Sequence, residues 1–176
     1  MKELSLHILD IAKNSVKAGA DKIEITVLTD ESLDMLKITI ADNGCGMSKE
    51  FLSRVRDPFT TTRTTRKAGL GIPLFEAAAM QSGGSFDIQS EEGTGTVVSA
   101  TFGYTNIDRA PLGSMSETME ILISGSPDIR FLYNHIKNGE EFHFDTDEIK
   151  NQLGGIPMST PEVLSWIGEY IEEGTK

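Results

Sequence analysis

Asp10, Asn14 and Lys17 stand four and three residues apart, so on a helix they project from one side, with His7 a turn earlier. A carboxylate, an amide and an ammonium group then form one polar stripe facing a site, and the aspartate is of a type that can act as a general base. The alternative is the solvated polar face that most surface helices present. Asp42-Asn43-Gly44-Cys45-Gly46-Met47 follows a strand-like run; its glycines permit positive φ and close backbone approach to a flat ligand, although Asp-Asn-Gly is also a common turn. Gly69-Leu70-Gly71 precedes a helical run, where exposed amides free of side-chain bulk offer hydrogen bonds and a favourable dipole to phosphate. Gly93-Thr94-Gly95-Thr96 opens a late strand and reads in isolation as a hairpin turn.

Ordinary elements must hold these residues in place. Residues 3 to 18 have helical spacing, with Leu6, Leu9, Ala12 and Val16 available for a buried stripe and Gly19 as the stop. Ile23, Ile25 and Val27 alternate on one strand and Leu36, Ile38 and Ile40 on another, joined by a polar connection that implies a hairpin. Ser48 caps a short helix over 48–56, and 57–68 is a Thr/Arg-rich loop. A helix runs from Gly71 to Met80, with Pro73 tolerable only in its first turn, and strands follow near 85–90 and 96–103. A second region starts near Tyr104. Within it the pattern predicts strands over Glu120–Ser124, Ile129–Ile136 and Glu141–Phe144, the last two joined at Asn138-Gly139. Helices are expected over 146–153, capped by Thr146, and over 161–172, with Pro161 in the first turn.

The chain has 176 residues and 38% hydrophobic side chains, enough for one core with a small extension. Its net charge of −11 argues against broad nucleic-acid binding, which draws on Lys and Arg. Residues 1–103 hold 11 basic and 14 acidic side chains, and 104–176 hold 5 and 13, so the acidity is concentrated in the second region. Arg54, Arg56, Arg63, Arg66 and Lys67 form a basic cluster, either a solvated loop or a phosphate contact. A single cysteine, Cys45, excludes an intramolecular disulfide framework and cannot build a thiolate metal cluster alone. No apolar run is long enough to span a membrane, and the charged start does not look like a signal peptide, so a cytoplasmic protein without membrane attachment is expected.

The run His7 to Ile23 resembles the asparagine box of the GHKL ATPases, the superfamily of gyrase, MutL-type repair proteins and histidine kinases. Asp42 to Met47 resembles its first glycine box, Arg56-Asp57-Pro58-Phe59-Thr60-Thr61-Thr62 the phenylalanine box of histidine kinases, Ala68 to Ile72 the second glycine box, and Gly93 to Thr96 the third. The likeness covers about residues 4–103. It implies a Bergerat fold, an α/β (α+β) two-layer sandwich with a mixed sheet covered on one face by helices. Residues 1–103 would form the ATP-binding domain, and 104–176 a small α+β extension of unassigned role.

The resemblance implies ATP and Mg2+ as cofactors. It makes Asn14 the Mg2+ ligand, Lys17 a phosphate contact, and Asp42 the acceptor for the adenine amino group. Gly44, Gly46, Met47, Gly95 and Thr96 would surround the base, and Thr62, Gly69, Leu70 and Gly71 the phosphates, with the Thr/Arg segment as a lid. The short lid is similar to that of kinases, whereas the asparagine box is similar to that of MutL-type proteins. Hydrolysing relatives carry a glutamate where Asp10 stands, so slow hydrolysis is expected, with His7 either assisting or packing. Upstream of Asp10 the chain leaves no room for a phosphoaccepting hairpin, and His135 and His143 resemble no phosphoacceptor. A kinase-like activity would then act on a separate protein partner. A slow ATPase switch and a nucleotide-sensing module are the alternatives, and a homodimer stays open.

Overall fold

The structure, a computed structural model, describes residues 3–57 and 70–176. Alternation of apolar and polar residues builds β1 (Lys22–Asp30) and β2 (Met35–Asp42), which pair antiparallel. Ile23, Ile25, Val27, Ile38 and Ile40 point to one face and are fully or almost fully buried, each contributing about 1.5–3 kcal/mol. β3 (Ser85–Glu91) and β4 (Gly95–Gly103) form a second hairpin, and β4 pairs antiparallel with β2. β5 (Arg130–Lys137) lies parallel to β1, and β6 (Glu140–Asp145) closes the far edge, so the six strands run β3-β4-β2-β1-β5-β6. Asn138, with φ 51°, and Gly139 make the β5–β6 turn expected from the sequence.

Helices cover the apolar face: α1 (Leu4–Lys17), the short α2 (Lys49–Leu52), α3 (Gly71–Gln81), α4 (Met115–Gly125), α5 (Thr146–Leu153) and α6 (Pro161–Gly174). α1 ends where Gly19 turns to φ +79°, and Ser48 caps α2 by accepting from the Phe51 N–H. The predicted α1 stripe is partly rotated. Leu9 and Ala12 are buried as expected and Val16 packs against the core, but Leu6 is 41% exposed, and Leu4, Ile8 and Ile11 extend the buried side instead.

Glu120–Ser124 is helix rather than strand. Ser114 accepts from the Glu117 N–H, and Met115, Met119, Leu122 and Ile123 recur at helical spacing and are buried. Thr146 is not the cap of α5. Asp145 accepts from the Asp147 N–H, while the Thr146 hydroxyl accepts from the buried Phe131 N–H of β5.

Residues beyond 103 return to the same sheet and core. Their first segment also serves α1: the Leu4 and Ser5 N–H groups, which lack intrahelical partners, donate to the carbonyls of Pro111 and Leu112. α4 packs against both α1 and α6. Among the described residues no helix is long and apolar enough to cross a membrane.

Candidate functional site

The end of β2 delivers Asp42 opposite Thr96 of β4. The Asp42 carboxylate is fixed from two sides: Ser15 Oγ on α1 donates to Oδ2 at 2.5 Å, and the Gly44 N–H donates to Oδ1 at 2.8 Å. It is half-buried and keeps acceptor capacity beyond these two bonds. The loop after it is anchored at several points. The Asn43 side chain accepts from the Asp21 and Lys22 N–H groups at the start of β1 and donates to Asp21, and the Cys45 N–H donates to the Ala18 carbonyl. Gly93 N–H donates to the Cys45 carbonyl, and Met47 N–H to Ser90 Oγ at 2.8 Å. Ser90 in turn bonds the Gly95 carbonyl and the Thr96 hydroxyl.

Two glycines there are obligatory. Gly46 (φ +70°) lies so close to the Glu91 carbonyl, and Gly95 (φ +140°) so close to the Asp42 carbonyl, that a Cβ would overlap those oxygens.

A second group gathers where α1 meets the start of α3. A Cβ at Gly71 would stand 3.6 Å from Asp10 Cβ and 3.7 Å from Asn14 Nδ2, so the beginning of α3 abuts the Asp10–Asn14 stripe. Both polar side chains are half-buried, and among the described residues neither side chain makes a hydrogen bond. Ser15, next to Asn14, links this group to Asp42. Lys17 is exposed at the end of α1, and Leu70 is exposed just before α3. Thr62 and Gly69, with the lid segment, lie outside the described residues.

His7 belongs to the stripe by spacing but not to a solvent-facing site. It is 3% exposed, its ring sits 5.6 Å from that of Phe75 of α3, and burial pushes its pKa down to about 4. Ser15 and Ser90 carry no local signal in the sequence; their importance comes from partners 27 and 43 residues away. His135 hydrogen-bonds Tyr133, and His143 bonds Asn134.

A helix-covered mixed sheet with glycine loops around a doubly held aspartate defines a nucleotide-binding class of domain. The chain belongs to the histidine kinase-, DNA gyrase B-, and HSP90-like ATPase family, whose match covers residues 2–106. It is similar to the sensor protein SrrB of Staphylococcus aureus, with 38% identity over 101 residues, covering 54% of this chain and 17% of that protein. It is also similar to the non-motile and phage-resistance protein of Caulobacter vibrioides, with 30% identity over 115 residues, covering 62% of this chain and 14% of that protein. The chain thus spans less than a fifth of the length of these relatives. Among solved structures, the N-terminal domain of a DNA repair protein superposes with a TM-score of 0.54 at 14% identity, covering 81% of this chain and 52% of that one. The domain is therefore a GHKL ATP-binding domain with a Bergerat fold, similar to the ATPase domains of sensor histidine kinases.

Proposed function

We propose that the chain binds Mg-ATP and transfers the terminal phosphoryl group to a separate protein partner. The Asp42 carboxylate, held by Ser15 and Gly44 beside the Gly46 and Gly95 crossings, carries the nucleotide part of this reading, and the likeness to a sensor protein within a histidine kinase-like family supports the transfer. A carboxylate with fixed direction and spare lone pairs suits an exocyclic amino group, and a flat base fits against glycines that carry no side chain. Asp42 then accepts from adenine, while Gly44, Gly46, Met47, Gly95 and Thr96 enclose the ring.

The unpaired amide of Asn14 beside the start of α3 fits a hard cation and phosphate oxygens. Mg2+ takes oxygen ligands and keeps waters, so one amide oxygen suffices, and when bound the ion neutralises charge on the phosphates. Lys17, Thr62, Gly69, Leu70 and Gly71 complete the phosphate side. In the transfer, a nucleophile of the partner bonds to the γ-phosphorus as the bond to the bridging oxygen breaks, and ADP leaves.

The proximity of Asp10 to Gly71 favours a second reading, a slow ATPase switch. There Asp10 takes a proton from water as the water oxygen attacks the γ-phosphorus, releasing phosphate and ADP.

Calorimetric titration with ATP, with and without Mg2+, is the primary test. Asp42→Asn should abolish measurable binding in folded protein, and Ser15→Ala should weaken it about tenfold by freeing the carboxylate. Strong binding by Asp42→Asn refutes the pocket. Labelled γ-phosphate appearing on a partner supports transfer, whereas phosphate release that disappears in Asp10→Asn supports the switch.

A further inference from the structure

α6 presents an unusual outer face. Glu162, Trp166, Glu169, Tyr170 and Glu173 recur at spacings of three and four, so they share one side of the helix. Trp166 is 47% exposed and Tyr170 41%, and their rings stack at 5.1 Å with an interplanar angle of 11°. The stack is braced from below, where Tyr170 lies 5.4 Å from the ring of Phe142 and 6.2 Å from that of Phe144. A rigid aromatic pair loses little conformational entropy when something covers it, which is why such side chains dominate the energetic centres of interfaces.

The surroundings of this pair are acidic. Glu162, Glu169 and Glu173 share its side of the helix, and all three are exposed. Glu173 is paired with Lys176, the one ion pair found on α6 among the described residues. Three carboxylates thus flank an exposed aromatic stack on a helix that itself carries no lysine or arginine.

We infer that the Trp166–Tyr170 face of α6 is a docking surface for a positively charged, arginine-bearing polypeptide segment. Guanidinium groups stack on tryptophan and tyrosine faces and at the same time pair with carboxylates, so one side chain satisfies both features of the surface. The same charge rejects the other occupants. A second copy docked through this face would set one acidic helix against another. Nucleic acid and anionic membranes carry the same sign as the surface. The inference rests on α6 and β6 alone and stands whatever the glycine loops bind.

Trp166 is the only tryptophan in the chain, so its emission reports on this face directly. A short, end-blocked peptide of alternating arginine and alanine should change that emission saturably, its lysine analogue should bind more weakly, and its glutamine analogue should not bind. Tyr170→Ala should weaken the arginine peptide about tenfold. The combined Glu162→Gln, Glu169→Gln and Glu173→Gln variant, altered only at exposed positions, should weaken it at least as much. A control with the same charge change placed elsewhere, Glu141→Gln, Asp147→Asn and Glu148→Gln, should retain binding. The inference is overturned if no saturable change occurs, or if both charge variants lose binding equally, since the attraction would then be diffuse. It is also overturned if light scattering without peptide shows a dimer that Tyr170→Ala dissolves, because a second copy would then occupy the face.

Discussion

At Gly46 and Gly95 any side chain would overlap a backbone carbonyl, whereas at Gly125, the last residue of α4, a methyl group would meet nothing within 4 Å. The two positions represent two ways of using one sheet. Around the ends of β2 and β4, backbone lies against backbone and polar side chains tie loops together, so the local geometry depends on residues that admit no side chain. Around β5, β6 and their helices, ordinary caps, apolar packing and the Arg130–Asp145 pair hold the fold, and the surface carries charge. The contrast predicts that damage in the first region removes nucleotide binding, while damage in the second reduces stability alone.

The largest effect should come from Gly95→Ala. Displacing β4 from the Asp42 carbonyl should destabilise the protein by roughly 3 kcal/mol, lowering Tm by about 6–12 °C, and abolish ATP binding. Thermal unfolding and calorimetry on one preparation check both. Retained binding would break the comparison at its strongest point.

A similar energy is expected at His7, read through pH. Its pKa is about 4 in the folded protein against 6.5 for a free side chain, because burial disfavours the charged ring. Between these values the unfolded chain holds a proton that the folded chain does not, so acid favours unfolding. Stability should fall by about 3 kcal/mol from pH 7 to pH 4 and then level off for this group. Urea midpoints across that range should show the loss, and His7→Leu should remove it. Asp145 in the second region behaves differently. Arg130 holds its carboxyl below the usual 3.8, so its contribution is full above that value and is lost only as the pH falls below it.

Thr146→Val tests the second region. The hydroxyl satisfies the buried Phe131 N–H at 2.9 Å, and its loss should cost about 1–3 kcal/mol. Chemical denaturation should register the change while ATP affinity stays constant. A fall in affinity of more than a few-fold would mean that the two regions are coupled through β5 and β1.

The same division governs how much could be read from the sequence. Alternation in 22–41 predicts the first hairpin because that signal is local, whereas the glycine loops, which read singly as turns, point to a nucleotide only through the resemblance of the ordered boxes to the GHKL family. Ser15 and Ser90 were missed because neither has a meaning until α1 and β3 are brought against Asp42 and Met47. The parallel pairing of β1 with β5, from Lys22↔Arg130 to Thr29↔Lys137, joins distant segments without a spacing signature. The helix over 115–125 could have been read. Ser114-Met115-Ser116-Glu117 has the sequence pattern of a capping box, but the apolar run Ile121-Leu122-Ile123 resembles a short buried strand, and periodicity over so few residues does not separate the two.

The smallest predicted effect is a gain. Gly125→Ala places a methyl group in open space at a helical position with no positive φ, so the folded state pays no steric cost and the unfolded chain loses conformational freedom. Stability should rise by about 0.5–1 kcal/mol, or roughly 2 °C in Tm, with ATP affinity unchanged. Combining it with Gly95→Ala separates stability from geometry at the site. Part of the lost Tm should return, since the positions are independent, while binding should stay absent, since no added stability moves the Gly95 Cβ away from the Asp42 carbonyl. Recovery of ATP binding in that double variant would show that Gly95 matters only through stability, and the distinction between the two regions would fail.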